Sequence, residues 1–275
     1  MHLNITPSVL KLKIMFKDLK YIFSPNKTVS KPTVLMIIGV QIVLLLLAWY
    51  STGELIPKPH EVLNALGNFF KEGDLVRELF VSTGLCLKAM AIAIVLSLLV
   101  SYLTVLPFFR PPAFLISKGR FLTLVGLSFV FTLMVSGGHS LKVSLLVFGI
   151  SVFMVTSLVS MIKCIPKADF NHARTLRMSE WQTVWEVVIL GKIDQVFEII
   201  RQNFAIAWMM LTMVEGISRS EGGIGTMLLN QSKHLHLDAV FAIQIVILLV
   251  GIFMDYLIGV FKNILCPYAK LTLER

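Results

Sequence analysis

Charge is what this chain has least of. Only 15% of its 275 residues are charged against 56% hydrophobic, and the mean hydropathy is +0.81. A soluble domain of this length needs far more polar surface, so the composition excludes one and indicates a polytopic membrane protein in contact with the lipid bilayer. Cysteine is scarce too. Cys86, Cys164 and Cys266 show neither a pairing pattern nor metal-ligand spacing, which argues against disulfides and a metal site. No G-x-x-x-x-G-K-[ST] loop occurs, and the cluster Gly222–Gly225 lacks the lysine that would follow, so the chain has no phosphate cradle of its own. A Ser-His dyad, paired carboxylates and H-E-x-x-H are missing as well. Glu215 and Asp255 fall in different apolar runs, so no catalytic residue is assigned and an intramembrane enzyme has little support. The net charge of +9 fits basic residues gathered on one side of a membrane better than it fits a nucleic-acid partner.

Long apolar runs are what the sequence does have. Thr33–Tyr50, Val81–Leu106, Ala113–Ser136, Leu141–Ile162, Val196–Ile217 and Ala239–Phe261 are each long enough, at about 1.5 Å per residue, to cross a hydrocarbon core about 30 Å thick. The expected fold is therefore all-α and integral to the membrane, with six transmembrane helices. The first run ends in Trp49-Tyr50 instead of a small-x-small site, which makes it an uncleaved span and not a secretory signal. Residues 1–32 carry six lysines against Asp18; Leu10, Ile14 and Phe16 fit a short surface helix, and a flexible basic tail fits equally. Bases number six in 1–32, three in 107–120, five in 163–195 and three in 262–275; the alternate segments 51–80, 137–142 and 218–238 hold three, one and two. That imbalance places both termini in the cytoplasm. The chain divides into a basic cytoplasmic tail (1–32), a six-span domain (33–262) and a second cytoplasmic tail (263–275). Lys88 is expected to snorkel toward the outer interface, and His139 to be an exposed turn residue.

Between the fourth and fifth runs lies the longest polar-rich segment of the second half, Pro166–Gly191. Phe170, Ala173, Arg177, Trp181, Val184 or Trp185, and Val188 recur every three or four residues, which predicts one mostly apolar helical face. Ser179 and Gln182 have the S-x-x-Q form of a capping box, so a second short helix should start there after a break near Met178. A bent amphipathic helix pair of this kind suits docking into a groove on a soluble partner. Elsewhere, Glu215 is the ionisable residue to single out. A carboxylate near a span end either organises the turn before Gly222–Gly225, lines a path, or rests at the headgroup level.

Asn171–Ser179, N-H-A-R-T-L-R-M-S, resembles the E-A-A-R-T-L-G-A-S signature of permease subunits of bacterial ABC importers, nearest the branch handling nitrate, sulfonates and taurine. Pro57-Lys58-Pro59 with Val62, Ala65 and Leu66 resembles that family's P-S-P-x-x-V-x-x-A-L, and Gly73-Asp74-Leu75 with Ser82 its G-x-L…S continuation. Trp208 with Glu215 resembles A-W…E, and Gly222–Gly225 resembles s-G-L-G. The chain departs from the pattern at Asn171, His172, Arg177 and Gly191, and its third span lacks the family's prolines. The resemblance implies a type I-like permease with a cytoplasmic coupling helix formed by Phe170, Asn171, His172, Ala173, Leu176, Arg177, Met178 and Trp181, and a gate or pathway region at Glu215, Gly223 and Gly225. It implies a second permease copy, two cytoplasmic ATPase subunits that bind ATP and Mg, an extracytoplasmic solute-binding protein, and a place in the bacterial plasma (inner) membrane. The implied solute is a small anion or zwitterion, with a pyrimidine thiamine precursor as the alternative. A secondary carrier would instead need inverted repeats with interrupted helices and buried ion ligands, which the sequence does not display. In the family pattern position 177 is a glycine, so Arg177 must either accept a left-handed backbone or prolong the helix.

Overall fold

The computed structural model describes residues 30–51, 53, 56–218 and 222–267. The tail before Ser30, including the surface-helix candidates Leu10, Ile14 and Phe16, and residues 268–275 lie outside the described residues. Among the described residues every regular element is helical. The chain divides into two compact units, one up to Val62 and one from Leu63 onward. In the first, helix α1 (Lys31–Ser51) is apolar on all sides, as a lipid-facing span requires. After it the Trp49 indole donates to the Pro57 carbonyl at 3.0 Å, and Tyr50 stacks on His60 with centroids 6.5 Å apart. Helix α2 (Pro59–Glu72) starts with a proline, whose missing N–H is harmless there, and the Glu61 carboxylate takes the Lys58 N–H at 2.9 Å.

Helix α3 (Asp74–Leu103) starts seven residues before the expected Val81. Asp74 and Glu78 are too polar to be counted in an apolar run, yet an acid in a first helical turn favours the helix dipole. Along α3, Ser82, Cys86, Ala89, Ala93, Ser97 and Ser101 are buried at nearly one small residue per turn, which lets the backbone approach its neighbour closely. That neighbour is helix α6 (Gly138–Lys163), to which Ser97 donates at the Ser151 carbonyl over 3.4 Å. Helix α6 is the axis of the second unit. It buries Leu145, Leu146, Ile150, Met154 and Leu158 and also touches α9 (Ile193–Ile217).

The expected continuous third span is not formed. Pro107, Pro111 and Pro112 seat α4 (Arg110–Lys118), a 3₁₀ turn follows at Gly119–Phe121, and α5 (Leu124–Met134) restarts under a Thr123 cap. The axes on either side of that break differ by 113°. After α6 come α7 (Lys167–Thr175), α8 (Glu180–Thr183), α9, α10 (Ile224–Lys233) and α11 (Leu237–Leu265). Among the described residues four helices are long and apolar enough to cross a membrane, α1, α3, α6 and α11, and a fifth crossing arises if the bent α4–α5 pair counts as one. Helix α9 has 25 residues but carries Asp194, Glu198, Arg201 and Glu215. It is nonetheless central: Phe204, Ala207, Trp208, Leu211 and Val214 are buried in the core with Ile243 and Ile247 of α11. The Trp208 indole donates to the Ile247 carbonyl at 2.9 Å, and its ring lies where a side chain on Gly251 would crowd it.

Candidate functional site

Helix α9 ends in two different constructions. At its C-terminal end, Gly222 and Gly223 have φ of 72° and 112°, values open to glycine at little cost, and they aim the first amides of α10 back into the protein. Glu215, fully buried at 0% exposure, accepts from the Ser82 hydroxyl at 2.6 Å and from the Gly225 N–H at 2.8 Å. The same Ser82 oxygen accepts the Ile224 N–H at 2.8 Å. Glu78 accepts the Gly223 N–H, and Lys142, 2% exposed, donates to the Gly222 carbonyl at 2.9 Å. Thr226 closes the ring by donating to the Glu215 carbonyl at 2.9 Å. Three amides at the start of α10, which no helical carbonyl can reach, thus meet side-chain oxygens, and two carboxylates sit at the positive end of the helix dipole. Gly225 has no spare volume, since a Cβ there would run into the Thr212 backbone.

Glu215, Gly223 and Gly225, singled out from the sequence, are therefore assembled in one place, around a carboxylate buried inside the protein. Glu78 and Lys142 were missed. Glu78 lies one turn before Ser82, so the signal was present once α3 is allowed to start at Asp74. Lys142 read as a base of the outer turn, whereas it is the fifth residue of the mostly apolar helix α6 and is buried. Lys88 is exposed as expected and meets the His139 ring at 3.2 Å.

At the N-terminal end of α9 the segment 166–191 is ordered by its own backbone. Helix α7 ends with Met178 N–H on the Ala173 carbonyl at 3.3 Å and Arg177 N–H on the Arg174 carbonyl at 2.9 Å, a Schellman closure. Its left-handed residue is Arg177, φ 57°. Of the two alternatives, the arginine accepts the left-handed backbone, which costs a non-glycine residue about 1–2 kcal/mol. Ser179 and Gln182 form the expected capping box, at 2.8 and 3.3 Å. The chain then widens into a π turn at Val184–Ile189 and tightens at Leu190–Lys192. Gly191 fits that change of pitch because a Cβ would stand 2.9 Å from the Glu186 carbonyl oxygen.

The expected single apolar face is corrected by this break and this π turn. Ala173 and Val188 turn inward, and Phe170 and Met178 are half-buried. Asn171, His172, Leu176, Arg177, Trp181 and Trp185 face outward, the two tryptophans at 69% and 56% exposure. Between the two ends, α9 and α11 share a chain of ion pairs. Arg201 grips Asp255 through two bonds of 2.7 and 2.6 Å, and Lys262 meets Glu198 at 2.8 Å. Of the charges that lower the hydropathy of α9, Glu198, Arg201 and Glu215 are thus partnered within the protein, which reduces the cost of carrying them in an otherwise apolar helix.

No protein-family profile matches the chain, and no curated protein matches it in sequence. In three dimensions it is similar to a solved structure described as "Crystal structure of an amino acid ABC transporter with histidines", at a TM-score of 0.62 and 15% identity, over 71% of this chain and 96% of that one. At that identity the likeness concerns the fold alone.

Proposed function

We propose that the chain is the membrane-spanning permease subunit of an ATP-driven ABC importer in a bacterial plasma (inner) membrane. It crosses six times, through α1, α3, the bent α4–α5 pair, α6, α9 and α11, with both termini in the cytoplasm. Two copies enclose the path, two cytoplasmic ATPases supply ATP and Mg, and an extracytoplasmic binding protein delivers a small anionic or zwitterionic solute of the nitrate, sulfonate or taurine class. The observation that carries this reading is the segment 166–191: a helix–turn–helix held by a Schellman closure and a capping box that nonetheless exposes Leu176, Trp181 and Trp185. Exposed tryptophans on an ordered scaffold have the form of a hot spot awaiting a partner.

Geometry supplies a mechanism. Helix α9 leads directly from that segment to the Glu215 region, and its 25 residues span about 37 Å at 1.5 Å per residue. When ATP draws the ATPases together, a docked segment moves as a rigid lever, and α9 transmits the displacement to the clamped Gly222–Thr226 turn. Single cysteines in a cysteine-free background test the topology. Labels at Lys71 and Lys233 are expected from outside intact cells, and a label at Glu180 only after permeabilisation. External labelling at Glu180 overturns the reading.

A further inference from the structure

At the end of the second unit that carries residues 166–191, a cavity of about 600 Å³ opens between the C-terminal ends of α3 and α6, helix α4, and the segment itself. Its lining combines the apolar Phe114, Val159, Ile162 and Val188 with two cations, Arg110 and Lys163. Among the described residues no carboxylate lines it. Among the described residues neither cation has an ion-pair partner; Arg110 donates its Nε to the Thr104 carbonyl at 3.3 Å. An apolar hollow with two uncompensated positive charges is complementary to a molecule that is apolar along most of its length and anionic at one end.

The wall formed by α4 with the 3₁₀ turns that flank it, Pro107–Phe109 and Gly119–Phe121, has the character of an element lying in a headgroup layer. Phe108, Leu115 and Phe121 are 81%, 73% and 71% exposed, while Lys118 and Arg120 lie over the rings of Phe114 and Phe121 at 4.9 and 5.0 Å. Exposed aromatics with cations folded over them are the pattern of a helix that rests at a membrane surface, and it stands at 113° to α5. Basic pockets between helix ends attract anionic headgroups. We propose that this cavity binds an anionic phospholipid, its phosphate held by Arg110 and Lys163 and the first part of an acyl chain packed on Phe114, Ile162 and Val188. Because Val188 belongs to the segment 166–191, a bound lipid braces that segment against α4. The binding itself does not depend on the importer reading.

The test uses the full-length chain purified in detergent, with lipid retention read by native mass spectrometry and stability by thermal unfolding. Phosphatidylglycerol is expected to remain bound and to raise Tm, whereas phosphatidylcholine and inorganic phosphate do neither. The double variant Arg110→Gln, Lys163→Gln should lose phosphatidylglycerol by about tenfold or more, since each base near such a headgroup contributes on the order of a few-fold. Arg110→Lys with Lys163→Arg should retain it, which separates lost charge from misfolding, and Lys233→Gln should retain it as a remote control. Equal retention of phosphatidylcholine, or undiminished phosphatidylglycerol in the double Gln variant, overturns the proposal. Stabilisation by inorganic phosphate alone would overturn it in favour of a free-anion site.

Discussion

The two ends of α9 differ in where their polar and apolar groups find partners. At Gly222–Thr226 the groups that need a partner have one inside the chain: Glu215, Ser82, Glu78 and Lys142 close on three amides and a carbonyl. At 166–191 the turn is closed by backbone bonds and a capping box, yet Leu176, Trp181 and Trp185 are exposed. The first construction fixes a turn; the second presents a surface. Substitutions at the first should therefore register in the stability of the isolated chain, and truncation of the exposed side chains at the second only when a partner is present.

The largest effect on the isolated chain is expected from Glu215→Leu. It leaves the Gly225 amide and the Ser82 hydroxyl without their acceptor and Lys142 without a nearby buried carboxylate, a loss of about 3–5 kcal/mol. Thermal unfolding in detergent should show a clear fall in Tm. Glu215→Gln keeps the shape and should preserve insertion and assembly while impairing uptake. Trp181→Ala should invert the pattern, with an unchanged Tm and a loss of about 2 kcal/mol or more in ATPase docking, measured by titration of the cognate ATPase. Gly225→Ala should cost about 1–3 kcal/mol of stability, because the added methyl meets the Thr212 backbone and not a movable side chain. The smallest effect belongs to Arg177→Gly, which removes a left-handed arginine and should raise the stability of the segment by about 1 kcal/mol, read as slower amide exchange at Met178. A fall in protection there would mean that Arg177 contributes a contact larger than its strain.

The regular parts of the fold were readable because apolar length and capping chemistry are local. Helices α1, α6 and α11 appear within a few residues of their expected bounds, and the Ser179–Gln182 box lies where its spacing predicts. Helix α3 starts seven residues early, and α9 forms but is not among the helices apolar enough to count as a span. The reading failed where a helix is polar for a tertiary reason. Helix α2 and the first turns of α3 lie outside the expected apolar runs, because their acids Glu61 and Glu78 serve as acceptors for the Lys58 and Gly223 N–H groups. The bend between α4 and α5 coincides with the 3₁₀ turn Gly119–Phe121 and the Thr123 cap, and the π turn at Val184–Ile189 is accommodated by the absence of a side chain at Gly191, which no periodic pattern announces. For the site, Glu215 was visible as a carboxylate in an apolar run. Its partners come from α3 and α6, 133 and 73 positions earlier at Ser82 and Lys142, and pairings at such distances leave no local trace.

The most direct test of the docking surface is recovery of the cognate ATPase with tagged permease, comparing wild type with a triple Ala variant at Phe170, Leu176 and Trp181. Both proteins should insert and unfold at similar temperatures, because Leu176 and Trp181 are exposed and Phe170 is only half-buried. The triple variant is predicted to recover at least about tenfold less ATPase, as removal of a central aromatic cluster should cost 1.4 kcal/mol or more. Equal recovery, together with normal solute-stimulated ATP hydrolysis, would contradict the account and remove residues 166–191 as the docking element.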